Sequence, residues 1–154
     1  MPGVVIVSST PSDAHTWNLV FLQLLIEEYG FHVVNLGPCV PEDLLVSQCC
    51  LHRPVLVVIS SVNGHGYQDC LNLIGRLRRH ARHEPMRVVA GGKLSVNQAG
   101  AEGRSVRLLA AGFDEIFADD ERSLAVFREL LAGMAEEVAG RMSRTSTTVP
   151  CARP

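Results

Sequence analysis

Two periods of apolar residues alternate along this chain. Residues 4–8, Val-Val-Ile-Val-Ser, are a short β-branched run without apolar/polar alternation, which is how a strand buried on both faces reads. The turn Ser8-Ser9-Thr10-Pro11-Ser12 ends it. From 16 to 29 the period changes: Leu19, Phe21, Leu22, Leu25 and Ile26 recur at helical spacing, Glu27 and Glu28 face outward, and Gly30 supplies a C-cap. Residues 31–37 predict a second strand, and Pro41, suited to a first helical turn, opens a helix to Leu51. The third strand, 55–60, is the most apolar. After Asn63-Gly64-His65-Gly66 a helix is expected over 67–82, with Leu71, Ile74 and Leu77 at helical spacing. Residues 87–90 read as a fourth strand stopped by Gly91-Gly92. A helix over 105–111 and a short strand over 112–118 follow. Ser123 then caps a last helix to about residue 141, striped by Leu124, Phe127, Leu130, Leu131 and Met134.

Five buried strands alternating with helices specify an α/β fold, because parallel strands need crossovers of about a dozen residues, usually helical. The expected architecture is a doubly wound, five-stranded parallel sheet of flavodoxin-like (Rossmann-like) form, order 2-1-3-4-5. One domain is expected over 1–141. Residues 142–154, rich in Ser, Thr, Pro and Arg, read as a disordered C-terminal tail.

Composition narrows the function classes. With 154 residues, 47% hydrophobic and 19% charged, the chain can bury a core of its own. A net charge of −2 provides no field that would draw it to nucleic acid or an acidic membrane. Near Met1 there is no basic n-region, and no apolar run approaches the roughly 20 residues of a spanning helix, so a cytoplasmic chain is expected. Five cysteines without a C-x-x-C pair read as reduced thiols. The cluster Arg76, Arg78, Arg79, His80, Arg82 and His83 lies near a helix C-terminus, where cations complement the dipole.

In a sheet of this order, ligands sit beyond the carboxyl ends of strands 1 and 3. Asp13 and His15 follow strand 1, and Ser60, Ser61 and the Asn63-Gly64-His65-Gly66 loop follow strand 3. Gly91-Gly92 follow strand 4, and Asp119 and Asp120 follow strand 5. A phospho-receiver would need an acceptor aspartate where Ser60 stands. A flavin site would want a glycine in the first loop and aromatics to sandwich the ring, and it is poorly supplied with both. Alone, an Asp-x-His is a solvated turn, Ser60 a strand-end hydroxyl and Gly91-Gly92 a tight bend. Their conjunction in order carries more.

That conjunction, Asp13-Ala14-His15-Thr16-Trp17-Asn18, then Ser60-Ser61-Val62, then Gly91-Gly92, resembles the D-x-H-x-x-G, S-x-L, G-G signature of cobalamin-binding domains. Residues 29–37, Pro41-Glu42 and residues 60–70 extend the resemblance to the small, cobalamin-binding subunits of glutamate (methylaspartate) mutase, over roughly residues 3–130. The resemblance implies a cobalt corrinoid, adenosylcobalamin, bound base-off with His15 as the lower axial ligand in place of the cofactor's own dimethylbenzimidazole. Asp13 would hold the other ring nitrogen. Ser60 would offer its hydroxyl to the displaced nucleotide tail entering between strands 1 and 3, and Gly91 and Gly92 would leave it room. Ala14, Thr16, Val62, Asn63 and Gly64 complete the implied cofactor-binding set. The implied activity is one component of an isomerase that interconverts glutamate and 3-methylaspartate, inactive without a larger, substrate-binding barrel subunit. Alternatives are the corrinoid carrier of a methyltransferase or radical enzyme, and a non-catalytic cobalamin-binding regulatory module. Trp17 is expected to anchor the corrin or to staple the first helical turn, and His65 either contacts a corrin side chain or is plainly exposed.

The sequence departs from this pattern at three places. Asn18 replaces the motif glycine, where a side chain would either narrow the tail channel or donate an amide hydrogen bond. Val62 replaces leucine, a mild change of shape. Ala118-Asp119-Asp120-Glu121 stands where the mutase subunits tend to carry a Pro-Gly-Thr-like loop, and three acids would repel a phosphate unless they point outward.

Overall fold

A computed structural model of the chain describes residues 3–80, 86–93 and 100–145. Strands and helices alternate strictly: β1 (Val4–Ser9), α1 (Trp17–Glu28), β2 (His32–Asn35), α2 (Glu42–His52), β3 (Leu56–Ser61), α3 (Gly66–His80), β4 (Arg87–Gly92), α4 (Ala101–Ala111), β5 (Glu115–Phe117) and α5 (Glu121–Thr145). The sheet runs β2-β1-β3-β4-β5 with every pairing parallel, the expected doubly wound order.

The lack of alternation in β1 has its reason in two cores. Val5 and Val7 face Leu19, Leu25 and Ile26 of α1 and Phe127, Leu131 and Met134 of α5. Ile6, between them, faces the opposite layer, where Leu45, Leu73, Leu77 and Leu108 of α2, α3 and α4 pack on Val57 and Ile59. Each strand residue is therefore covered whichever way it points. Register sets Ser9 beside Ser60, Ser60 beside Gly91 and Ser61 beside Gly92, so the sequence blocks meet at one rim of the sheet.

Several boundaries differ from expectation. β4 continues through Gly91 and Gly92, because both still pair with β3. β5 is only Glu115–Phe117: Phe113 turns into the core, and Asp114 accepts from the Val88 backbone at 2.7 Å. Pro41 is the N-cap of α2 rather than its first helical residue. Asp120 caps α5, its Oδ1 accepting from the Ser123 backbone at 2.7 Å, so Ser123 sits one turn inside a helix it was expected to start. α4 begins four residues before its expected start, at Ala101, and α5 continues past 141 to Thr145, into the stretch expected to be a disordered tail. Residues 146–154, the rest of that tail, lie outside the described residues, as do Arg82 and His83.

The basic cluster is used internally where it is described. Arg76 pairs with Glu42 at 2.9 Å and with Asp43, while Arg78 donates to the carbonyls of Gly112 and Met86 and to Asp114. Cys39, Cys49, Cys50 and Cys70 are free thiols, and burial pushes Cys49 and Cys70 up to about 12. Cys151 lies outside the described residues. No described helix is long and apolar enough to cross a membrane.

Candidate functional site

The loop between β1 and α1 closes on one carboxylate. Asp13 is fully buried, and its backbone N–H donates to the Thr10 carbonyl at 3.1 Å. Its Oδ2 accepts from the Val62 N–H at 2.7 Å and from the Ser61 hydroxyl at 3.0 Å. Its Oδ1 accepts from the His15 N–H at 2.9 Å and meets His15 Nδ1 at 2.7 Å. Burial alone would raise its pKa, but the bonds from the His15 and Val62 backbones and the His15 and Ser61 side chains outweigh that and pull it down to about 2. An ionised carboxylate can only accept, so Nδ1 carries a proton toward Asp13, and in the neutral imidazole Nε2 is the nitrogen with the free lone pair. His15 itself is 60% exposed at the rim.

The surrounding loops clamp this arrangement. Asn63 Nδ2 donates to the Ser12 carbonyl and hydroxyl at 3.0 and 3.1 Å, while its Oδ1 accepts from Ser61 Oγ and the His65 backbone. Ser12 Oγ donates to Asp69 Oδ2 at 2.6 Å. Gly64, in the left-handed region at φ 83°, donates its N–H to the Lys93 carbonyl, tying the loop after β3 to the loop after β4. Behind β2, the Cys39 N–H donates to the Asp13 carbonyl at 2.8 Å. Ala14 and Thr16 are exposed on the His15 loop, and Thr16 is the N-cap of α1 without a side-chain capping bond. His65 is exposed. Trp17 is 84% exposed and staples nothing.

Beside the loop lies a cavity of about 420 Å³, between α1 and α5 over the ends of β3, β4 and β5. Phe21, Leu22, Phe117, Leu124 and Phe127 supply apolar wall, with Phe117 and Phe127 edge to face at 5.3 Å. Ser60, Val62, Gly91 and Gly92 line its β3–β4 side, and Asp119, Asp120 and Glu121 stand exposed at its α5 end. The cavity thus opens over β3, β4 and β5, whereas β1 and β3, between which the tail was expected to enter, pair directly; Ser8, Ser9, Thr10 and Asp13 at the end of β1 are buried, with Ser9 donating to the Gly37 carbonyl at 3.1 Å.

The glycine pair is also closely approached by the protein's own chain. A Cβ on Gly92, at φ 96°, would lie 2.3 Å from the Ser61 carbonyl oxygen, and one on Gly91 would lie 3.2 Å from Phe117 Cβ and from its carbonyl oxygen. Both glycines therefore have a role in the protein's own packing, and both also line the cavity. Sequence reasoning assigned no role to Ser61, Ser12 or Phe117. Only spatial proximity shows that Ser61 and Ser12 hold the loop and that Phe117 walls the cavity.

Among the described residues, no three His, Cys, Asp or Glu side chains gather to cage an ion. A single exposed imidazole with its other nitrogen fixed suits a metal that arrives with its own in-plane ligands, and the adjacent cavity suits an appendage of such a group. Comparison with known proteins agrees. The chain belongs to the B12-binding domain family, whose model matches residues 3–128. Within that class it is similar to glutamate mutase sigma subunit 1 of Haloarcula marismortui, 34% identical over 132 residues, which cover 84% of this chain and 86% of that one. Among solved structures it resembles a cobalamin-binding protein of Desulfitobacterium hafniense (TM-score 0.63, 22% identity, 75% of this chain and 53% of that one). It also resembles the monomethylamine corrinoid protein of Methanosarcina barkeri (TM-score 0.63, 20% identity, 88% and 57%). The chain thus spans little more than half of those two proteins, and at these identities they show the fold alone.

Proposed function

We propose that this chain is the cobalamin-binding subunit of a glutamate mutase type of carbon-skeleton isomerase. In this reading it holds adenosylcobalamin base-off, with His15 Nε2 as the lower cobalt ligand. The observation that carries it is the pairing of His15 Nδ1 with a buried, ionised Asp13 beside an open cavity: one nitrogen fixed, the other free, and room for a displaced tail. When bound, adenosylcobalamin supplies a cobalt–carbon bond whose homolysis begins radical chemistry. This chain's part is to orient. Asp13 fixes the imidazole tautomer and raises its basicity, Asn63 and Ser12 hold the loop in place, and Ser60 lines the cavity. A larger partner subunit would carry the substrate, and the similarity to glutamate mutase sigma subunits supports that division.

The test is direct. Cobalamin mixed with the chain should stay with it through gel filtration, and electron paramagnetic resonance of the Co(II) form should show coupling to a protein nitrogen that His15→Ala removes. Loss of cobalt on the column would sink the reading. Conversion of glutamate to 3-methylaspartate on adding a mutase large subunit would support the isomerase assignment; methyl transfer to a thiol instead would favour a corrinoid carrier.

A further inference from the structure

Asn18, in place of the motif glycine, reaches across from α1 and donates its Nδ2–H to Ser60 Oγ at 2.7 Å. Two polar functions are left over. Asn18 Oδ1 is buried with no hydrogen-bond partner, and the Ser60 hydroxyl, its oxygen already accepting, has no protein acceptor for its own proton among the described hydrogen bonds. Both residues line the cavity, among walls that are otherwise largely apolar on the α1 side. A buried acceptor without a protein partner must take its donor from what occupies the cavity it lines, water or a ligand group.

We infer that Asn18 is a specificity-determining residue for the nucleotide tail. Its amide holds Ser60 so that the hydroxyl proton is presented to an acceptor nitrogen on the tail's heterocycle, and its own Oδ1 takes an N–H or O–H donor from the same tail. The pair therefore reads a neighbouring acceptor and donor, where a glycine at position 18 would leave Ser60 to act alone. This rests on the cobalamin reading above, and the test separates the two.

The full chain is titrated with hydroxocobalamin and with diaquacobinamide, the corrin lacking the nucleotide tail, and binding is followed by the visible spectrum. Wild type, Asn18→Ala, Asn18→Gly, Ser60→Ala and the Asn18→Ala/Ser60→Ala double variant are compared. Asn18→Ala and Asn18→Gly should each weaken cobalamin binding about tenfold or more and leave cobinamide binding within about twofold. The double variant should lose less than the product of the two single losses, because Asn18 acts partly through Ser60. Unchanged cobinamide binding also shows that the variants are folded. Asn18→Gly binding cobalamin as tightly as wild type, or more tightly, would mean the side chain only narrows the channel and would overturn the inference. An equal loss for both corrinoids would overturn it too, by assigning Asn18 to the fold. If wild type binds neither corrinoid, the cobalamin reading itself fails and takes the inference with it.

Discussion

The two halves of the candidate site are built on opposite plans. Around Asp13 every carboxylate oxygen is bonded, and the loops after β1, β2 and β3 are tied to one another through it. Across the rim, the cavity between α1 and α5 has a largely apolar wall, with Asn18 bonded to Ser60 and Asn18 Oδ1 left without a protein partner. In one half the protein satisfies the central polar group from every side; in the other it does not. A metal-facing ligand must be held in a single geometry before the metal arrives, whereas a pocket for an appendage needs mainly volume and a few directed polar groups. Substitutions on the first half should therefore damage the empty protein, and those on the second should mostly be felt by the ligand.

The largest effect is expected where the halves join. Gly92→Ala would place a Cβ 2.3 Å from the Ser61 carbonyl at a backbone angle of φ 96°, and should cost more than about 3 kcal/mol or prevent folding, read as the urea midpoint. Asp13→Ala should follow at about 2–4 kcal/mol, since it takes the acceptor from the Val62 and His15 N–H groups and one of two acceptors from the Ser61 hydroxyl. Part of this is visible through pH. Asp13 is lowered from 3.8 to about 2, so its ionisation contributes about 2 kcal/mol, fully present above about pH 4 and lost as the pH falls through 2. The stability gap between wild type and Asp13→Asn, measured by denaturant titration, should narrow from pH 7 to pH 3; a gap that stays constant would break the comparison.

Smaller effects belong to the cavity side and the exposed rim. Gly91→Ala meets Phe117 Cβ and its carbonyl oxygen at 3.2 Å, a milder crowding than at Gly92 that a small shift of β5 relieves, and it should cost about 1–2 kcal/mol while narrowing the pocket. Smallest of all is His15→Ala. Its exposed ring contributes one hydrogen bond, so stability should change by less than about 1 kcal/mol while the protein-nitrogen coupling to Co(II) disappears. If that variant were strongly destabilised, His15 would belong to the scaffold.

How much of this was legible beforehand follows from what sequence can encode. Strand order, the two cores and the meeting of the three blocks at one rim follow from apolar period and parallel register, which are nearly local properties. Element ends were less legible. Asp120 and Ser123 are both good capping residues, and only the placement of the preceding loop selects Asp120. The cavity's walls were not legible, because α1, α5 and the end of β5 come together only in the fold, and the Ser8-Ser9-Thr10 stretch that looks like an open polar turn in one dimension is buried in three. The exchange at position 18 was visible as an anomaly, but the bond from Asn18 to Ser60 depends on α1 lying against the end of β3.

Trp17 gives the molecule a built-in optical gauge. It is the single tryptophan of the chain, it stands 84% exposed, and it follows the cobalt-ligand candidate by two residues. Its emission in the empty protein should be that of an indole in water. A strongly absorbing macrocycle seated on His15 would lie within energy-transfer range of it, so occupancy should register as quenching without any label. Quenching by a corrin bound through His15, set against the response of His15→Ala, would report where on the surface the ring lies.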